Sequence, residues 1–252
     1  MKHIIQTVLT GRGVRRLEEE TPEWLIGRIE LFKKYTLPSL LNQTNRNFLH
    51  WISFREPGEE SNEQVIKLKE YLTNLNYNFV FTYNGQPYID DKIADNRTED
   101  DRFRLSLEKI KGIENSDWIY FTVLDSDDMF SKDVVDEIQR EKPAFKKALV
   151  YQKGYIYDDI TGKLADWDTE SPPFYTIIYP TEVFVDAIKK REYVDAFKSH
   201  EDIIRFLHYK VLSKNKYCVV VHKNNKSTYW EHKYKGQEYS QKEKILNNFG
   251  IK

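Results

Sequence analysis

The sequence predicts an α/β fold with a mixed, mainly parallel central sheet flanked by helices, and three observations carry that expectation. Strand and helix signals alternate through the first half of the chain. An apolar strand without polar alternation, Trp118 to Leu124, ends abruptly in Asp125, Asp127 and Asp128, as a strand covered on both faces of a parallel sheet would. The second half then changes to hairpin and loop signals. With 252 residues the chain can build one large core, and it is read as a single domain over 1–252.

The elements follow in order. A first strand runs from His3 to Thr10 into a Gly11/Gly13 turn, and Glu23 begins a helix that puts Leu25, Ile29 and Phe32 on one face. Pro38 breaks or restarts this helix, because its ring cannot continue an interior turn without a kink. A strand at Phe48 to Phe54, a turn at 56–58, a helix from Glu63 to Leu75 and a strand at Phe79 to Tyr83 continue the alternation. Asn84 to Pro87 and Asp90 to Asp101 read as loops, and Arg102 to Ile113 as a helix leading into the carboxylate strand. After a helix at Asp133 to Arg140, the runs Ala148 to Tyr157 and Lys163 to Trp167 flank a turn at Asp158 to Gly162 and predict a hairpin. Helices at Glu182 to Lys190 and Glu201 to Lys210, a strand at Tyr217 to His222 and a short helix near Ser240 to Asn248 complete the reading. There is no internal repeat and no low-complexity linker.

Three carboxylates within four residues at a strand end repel one another and lose hydration, so something positive must offset them. A hard divalent cation, Mg²⁺ or Mn²⁺, suits oxygen ligands at this density and would take up diphosphate oxygens besides. A turn followed by a helix cap, with Ser126 or Asp128 capping a helix near Ser131, explains the same residues without a ligand. The rest of the composition excludes more than it selects. A formal net charge of −1 gives no general attraction to nucleic acid or anionic membrane. The single cysteine, Cys218, forms no intrachain disulfide and fits a reducing, cytoplasmic setting. The N-terminus reads as a strand rather than a signal peptide, and no apolar run approaches a transmembrane segment. The Gly11-Arg12-Gly13 turn lacks the third glycine and the later acid of a dinucleotide fingerprint.

Five phrases occur together in order: residues 22–54, Leu124-Asp-Ser-Asp-Asp128, residues 172–180, Ser199-His-Glu-Asp202, and His222 to Trp230. Their combination resembles the GT-A class of nucleotide-sugar glycosyltransferases, and within it the rhamnosyltransferase family. The likeness spans most of the chain. One departure is that Arg55-Glu56 follow Phe54, where many relatives place an acid that meets the base or ribose.

The resemblance implies a GT-A fold whose residues 1–128 bind the nucleotide sugar and whose residues 129–252 bind the acceptor. It implies metal-dependent, inverting transfer of rhamnose or another hexose from a UDP-, dTDP- or GDP-linked donor to a hydroxyl of a glycan or glycoconjugate. Asp127 would be the direct Mn²⁺ or Mg²⁺ ligand of the DxD motif, with Asp125 facing the ribose or a metal-bound water and Asp128 supporting the loop. His222, closing an apolar strand, would complete the metal shell and tilt the preference toward manganese. Asp202 would be the general base for the acceptor hydroxyl, while Glu201 would hold the acceptor or its neighbour His200 and act as the fallback base. Ser199 with Asp202 three residues on also makes a helix cap, a structural alternative. Arg102 and Arg104 would bring cations near the diphosphate, with an exposed helix face paired to neighbouring acids as the competing reading, and Arg12 would contact the nucleotide. Trp167, Phe174 and Tyr175 would stack on a sugar in the acceptor pocket, or else pack the core. Two other readings stay open: an Mg²⁺-dependent phosphohydrolase using Asp125, although its nucleophile strand would normally open the domain, and a non-catalytic sugar- or nucleotide-binding module.

Overall fold

The computed structural model describes residues 1–10, 21–54, 57–83, 112–170, 174–189, 200–223, 225, 229–233 and 236–251. Its strands are β1 (Lys2–Val8), β2 (Leu49–Ser53), β3 (Phe79–Thr82), β4 (Trp118–Val123), β5 (Met129–Phe130), β6 (Lys147–Val150), β7 (Lys153–Asp158), β8 (Leu164–Asp168), β9 (Tyr175–Pro180), β10 (Tyr209–Val211) and β11 (Tyr217–Val221). The helices are α1 (Pro22–Leu31), α2 (Leu37–Leu41), α3 (Glu63–Asn74), α4 (Val134–Arg140), α5 (Thr181–Lys189), α6 (Glu201–Phe206), α7 (Trp230–Lys233) and α8 (Lys242–Asn247).

A seven-stranded sheet has the order β10-β6-β9-β4-β1-β2-β3, and only β9 runs antiparallel to its neighbours. The sequence-predicted class, α/β with a mixed and mainly parallel sheet, is what forms. Because β1 lies between β2 and β4, strand order reverses beside β1, and the crevice at the carboxyl ends of β1 and β4 is the place where such sheets bind ligands. Strand β4 is apolar on both faces for a clear reason. Ile119, Phe121 and Val123 pack with Ile177, Phe184 and Ile203 on one side, while Tyr120 and the following Leu124 pack with Phe130, Val134 and Val219 on the other.

The second sheet, β5-β11-β7-β8, shares that latter core. The chain reaches it directly from the carboxylate turn, since β5 begins at Met129 and pairs antiparallel with β11. The hairpin of β7 and β8 turns through Gly162 at φ 68°, and Asp158 Oδ1 accepts the Ile160 N–H at 2.9 Å.

Four sequence expectations are corrected. The run 148–157 is not one strand: it breaks at Tyr151-Gln152, so that β6 joins the large sheet and β7 the small one. The helix from Glu201 ends at Phe206, and Lys210 lies in β10, paired with Leu149. Strand β9, which the sequence reading did not assign, joins β4 to β6. Ile113 follows a turn at Gly112, whose φ is 72°, rather than closing a helix. The loops at Asn84 to Pro87 and Asp90 to Asp101 and the rest of the expected helix from Arg102 lie outside the described residues.

Pro38 restarts the helix through a specific device. Between α1 and α2 lies one π-helical turn, Phe32–Thr36, closed by the Leu37 N–H donating to the Phe32 carbonyl. The wider turn accommodates a proline that has no N–H and whose ring would strike the carbonyl four residues back. Its consequence is positional, because Phe32, Tyr35 and Thr36 are all buried while Lys33 and Lys34 line a cavity with Asp159 and His222.

Candidate active site

Three segments remote in sequence converge at Asp127. The residue sits in the turn after β4, 7 % exposed, and its Oδ2 accepts from Arg28 Nη1 at 2.8 Å, with His222 Nε2 also 2.8 Å away. Helix α1 supplies Arg28. Thr21 caps that helix by accepting the Trp24 N–H at 3.2 Å, Pro22 occupies its first turn, and Leu25 and Ile29 bury its apolar face. Arg28 falls in the last turn with its side chain 21 % exposed. His222 follows β11, and that strand is held against the carboxylate turn because Asp128 Oδ1 accepts the Val220 N–H at 3.0 Å.

The turn is fastened from below by the π-helical segment. Thr36 Oγ1 donates to the Asp128 carbonyl at 2.9 Å and lies 3.3 Å from the Asp125 carbonyl. Burial alone would raise the Asp127 carboxyl, but the Arg28 charge and the His222 hydrogen bond outweigh it and hold the group below the usual carboxylate range. Asp127 is therefore a carboxylate at neutral pH. Ser126 Oγ, in the same turn, is buried with no hydrogen-bond partner among the described residues. In this arrangement Arg28 brings a positive charge to Asp127, His222 lies within hydrogen-bond distance of the same oxygen, and Asp128 accepts a backbone N–H.

A cavity of about 520 Å³ opens beside His222, lined among others by Gly27, Leu31, Lys33, Lys34, Asp159 and Lys223. Asp159 comes from the β7–β8 turn. Lys34 Nζ donates to its Oδ1 at 2.6 Å and the Tyr35 hydroxyl donates to the same oxygen. Burial would raise the Asp159 carboxyl, yet these two hydrogen bonds and the lysine charge keep it below the usual carboxylate range. Tyr35 is pushed up in turn, first by burial and then by Asp159.

The other sequence candidates are placed as follows. Glu201 and Asp202 form the first turn of α6, with Asp202 3.9 Å from Arg205 one turn on, and His200 stands just before that turn. None of the three lines the cavity beside His222. Tyr175 opens β9 opposite Val123 and is half-buried at the carboxyl end of β4. Trp167 and Phe174 pack in the core, the alternative the sequence left open. Phe174 is fully buried with its ring centroid 4.5 Å from that of Tyr217, and Trp167 is 6 % exposed against the same tyrosine, so packing has consumed the faces a sugar would need. Asp125 is half-buried beside Asp127, and Arg12, Arg102 and Arg104 lie outside the described residues.

Sequence reasoning missed Arg28, Lys34, Tyr35 and Asp159. A signal did exist for the first two, since a helix interrupted by Pro38 beside an acid cluster in need of cations contains Arg28 and Lys34. Asp159 carried none, because its role arises from the fold of a turn about 125 residues beyond its partners.

Comparisons with known proteins bear on this site only through the family. No curated protein matches the sequence significantly. Among solved structures the chain is similar to the inositol-1-phosphate CTP transferase of T. maritima, at 12 % identity over 87 % of this chain and 89 % of that one, with a TM-score of 0.41. It is also similar to a Desulfovibrio desulfuricans G20 protein described as a "putative nucleotide-diphospho-sugar transferase", at 12 % identity over 87 % and 81 % and a TM-score of 0.37. A third is a glycosyltransferase involved in glycosylating the major capsid of PBCV-1, at 10 % identity over 87 % and 93 % and a TM-score of 0.32. Likenesses this distant leave the assignment to the sequence family. That match covers residues 14–234 and so takes in Arg28, the carboxylate turn, Asp159 and His222 together: the chain belongs to the family described as "Putative rhamnosyl transferase".

Proposed function

We propose that the protein is a glycosyltransferase that takes a sugar, rhamnose or another hexose, from a nucleoside diphosphate donor and transfers it with inversion to a hydroxyl of a glycan or glycoconjugate. The observation that carries this reading is the meeting of Asp127, Arg28 and His222 at the strand-order reversal, within a chain of the rhamnosyl transferase family. Departure of a nucleoside diphosphate leaves negative charge on its oxygens, and catalysis consists largely of stabilising it with fixed charges. Lys34, Lys223 and His222 line one cavity, and Arg28 pairs with Asp127 beside that histidine, so fixed charges stand near where such charge would develop.

A divalent cation shared with the donor is part of this reading. A carboxylate oxygen and an imidazole nitrogen converge, and no cluster of three or more His, Cys, Asp or Glu side chains suited to holding a metal ion occurs among the described residues, so water and diphosphate oxygens would supply the remaining ligands. Asp127 and His222 would hold the ion, and imidazole suits Mn²⁺. When bound, it would supply charge neutralisation to the leaving diphosphate.

In this reading residues 1–128 carry most of the donor site and residues 129–252 the acceptor. Asp202 takes the proton of the acceptor hydroxyl, Glu201 and His200 orient that acceptor, and Tyr175 contacts it at the end of β4. Arg12, Arg102 and Arg104 are proposed donor contacts. No helix among the described residues is long and apolar enough to cross a membrane, and the buried Cys218 thiol suits a reducing compartment.

The test is a transfer assay with UDP-, dTDP- and GDP-linked rhamnose and hexoses against a panel of glycan acceptors, reading nucleoside diphosphate release and product. Release that needs an acceptor and vanishes in Asp127→Asn supports the proposal. Phosphate release from simple phosphoesters without any acceptor would replace it with the hydrolase reading.

A further inference from the structure

Arg28 holds an unusual place for a residue beside a cation site. Its Nη1 donates to Asp127 Oδ2 at 2.8 Å, the same oxygen that His222 Nε2 approaches at 2.8 Å. The pair is nearly dry, with the aspartate side chain 9 % exposed and the arginine 21 %. A second cation arriving at that oxygen meets a fixed guanidinium, and two positive charges on one carboxylate in a poorly hydrated setting repel strongly.

The surroundings offer the guanidinium somewhere else to go. Gly27 and Leu31, its neighbours on α1, line the cavity of about 520 Å³ beside His222. The cavity wall carries Lys33, Lys34 and Lys223 against two carboxylates, Glu30 and Asp159, which pair with Lys33 and Lys34, so it keeps a small excess of positive charge for an anion. A fork-shaped guanidinium also matches phosphate oxygens better than a point charge does.

Resting on the donor-binding reading above, we infer that Arg28 is a displaceable counter-ion: it neutralises Asp127 until a nucleoside diphosphate draws its guanidinium away, so that a divalent cation and the nucleotide bind together rather than separately. The carboxylate stays compensated throughout, first by Arg28 and then by the ion. The arginine also remains charge-paired, first with Asp127 and then with the diphosphate.

The experiment measures Mn²⁺ binding to the full chain by calorimetry, alone and with saturating UDP, dTDP or GDP, for the wild type, Arg28→Gln and Arg28→Lys. The wild type is expected to bind Mn²⁺ at least about tenfold more tightly with one of the nucleotides, the change expected when a charge-assisted hydrogen bond no longer competes. Arg28→Gln is expected to bind Mn²⁺ alone about tenfold more tightly than the wild type and to lose most of the nucleotide-dependent gain, with Arg28→Lys between the two. If neither variant binds Mn²⁺ alone more tightly than the wild type, Arg28 is not a competing cation and the inference is overturned, while nucleotide binding in the same titrations leaves the donor reading intact. If the variants do bind Mn²⁺ more tightly but no nucleotide binds in any combination, the donor reading falls and takes the coupling with it.

Discussion

Acidification should destabilise this fold well above the range where its carboxylates titrate, because two histidines are buried as neutral bases in the large sheet. His3 Nε2 meets Thr122 Oγ1 at 2.8 Å and its Nδ1 meets Gln139 Nε2 at 3.1 Å. His50 Nε2 meets Thr7 Oγ1 at 3.0 Å and its Nδ1 meets the Tyr77 hydroxyl at 3.0 Å. No carboxylate is among these partners. Burial accordingly lowers each ring from 6.5 to about 3. The sign follows from linkage. The unfolded chain takes up a proton at each ring below about pH 6.5 and the folded chain does not, so the stabilisation is complete above that pH and is lost as pH falls toward 3. Between pH 8 and pH 5 each histidine costs about 2 kcal/mol, so the pair removes about 4 kcal/mol from a total that is typically 5–15 kcal/mol. With a urea slope of about 1–3 kcal/mol per M, the unfolding midpoint should fall by about 1 M or more over that interval. Urea titrations at half-unit pH steps provide the assay, and His50→Gln should halve the slope. A midpoint constant from pH 8 to pH 5, or one that rises, would refute the burial argument.

Other consequences concern the site and its supports. Thr36→Val keeps the side-chain shape but removes the donor to the Asp128 carbonyl, and it should cost about 1–2 kcal/mol in urea unfolding while weakening nucleotide binding in calorimetry. Gly154→Ala would place a Cβ 2.6 Å from the ring of the fully buried Tyr217, so thermal unfolding should report a loss of about 1–3 kcal/mol. Asp202→Asn should reduce the turnover rate by about a hundredfold or more with donor affinity unchanged, measured by steady-state transfer against calorimetry; near-normal turnover would remove Asp202 from the base role.

The parts of the fold that could be read in the sequence are those whose cause is local. Strand β4 announced itself because an apolar run and three acids are contiguous, and α3 because Val65, Leu68 and Leu72 recur at helical spacing on its buried face. The division of 148–157 between two sheets was not legible, since nothing in Tyr151-Gln152 distinguishes a break from a continuing strand; the tertiary pairing of β6 with β9 and of β7 with β11 decides it. The candidate site divides in the same way. The need for positive charge beside Asp125, Asp127 and Asp128 follows from electrostatics within four residues. Which group provides it does not, because Arg28 lies 99 residues from Asp127 and reaches it only through the course of α1 and its π-helical turn. For Trp167 and Phe174 the sequence left sugar stacking and core packing open together, and the structure places both rings in the core.

The central claim is that a nucleotide-sugar donor binds at Asp127, and calorimetric titration of UDP-, dTDP- and GDP-sugars in the presence of Mn²⁺, with wild type and Asp127→Asn side by side, tests it most directly. The account predicts that one nucleotide class binds the wild type and loses at least about tenfold in affinity in Asp127→Asn. Equal affinity in the two proteins, or no binding of any donor to the wild type, would contradict it.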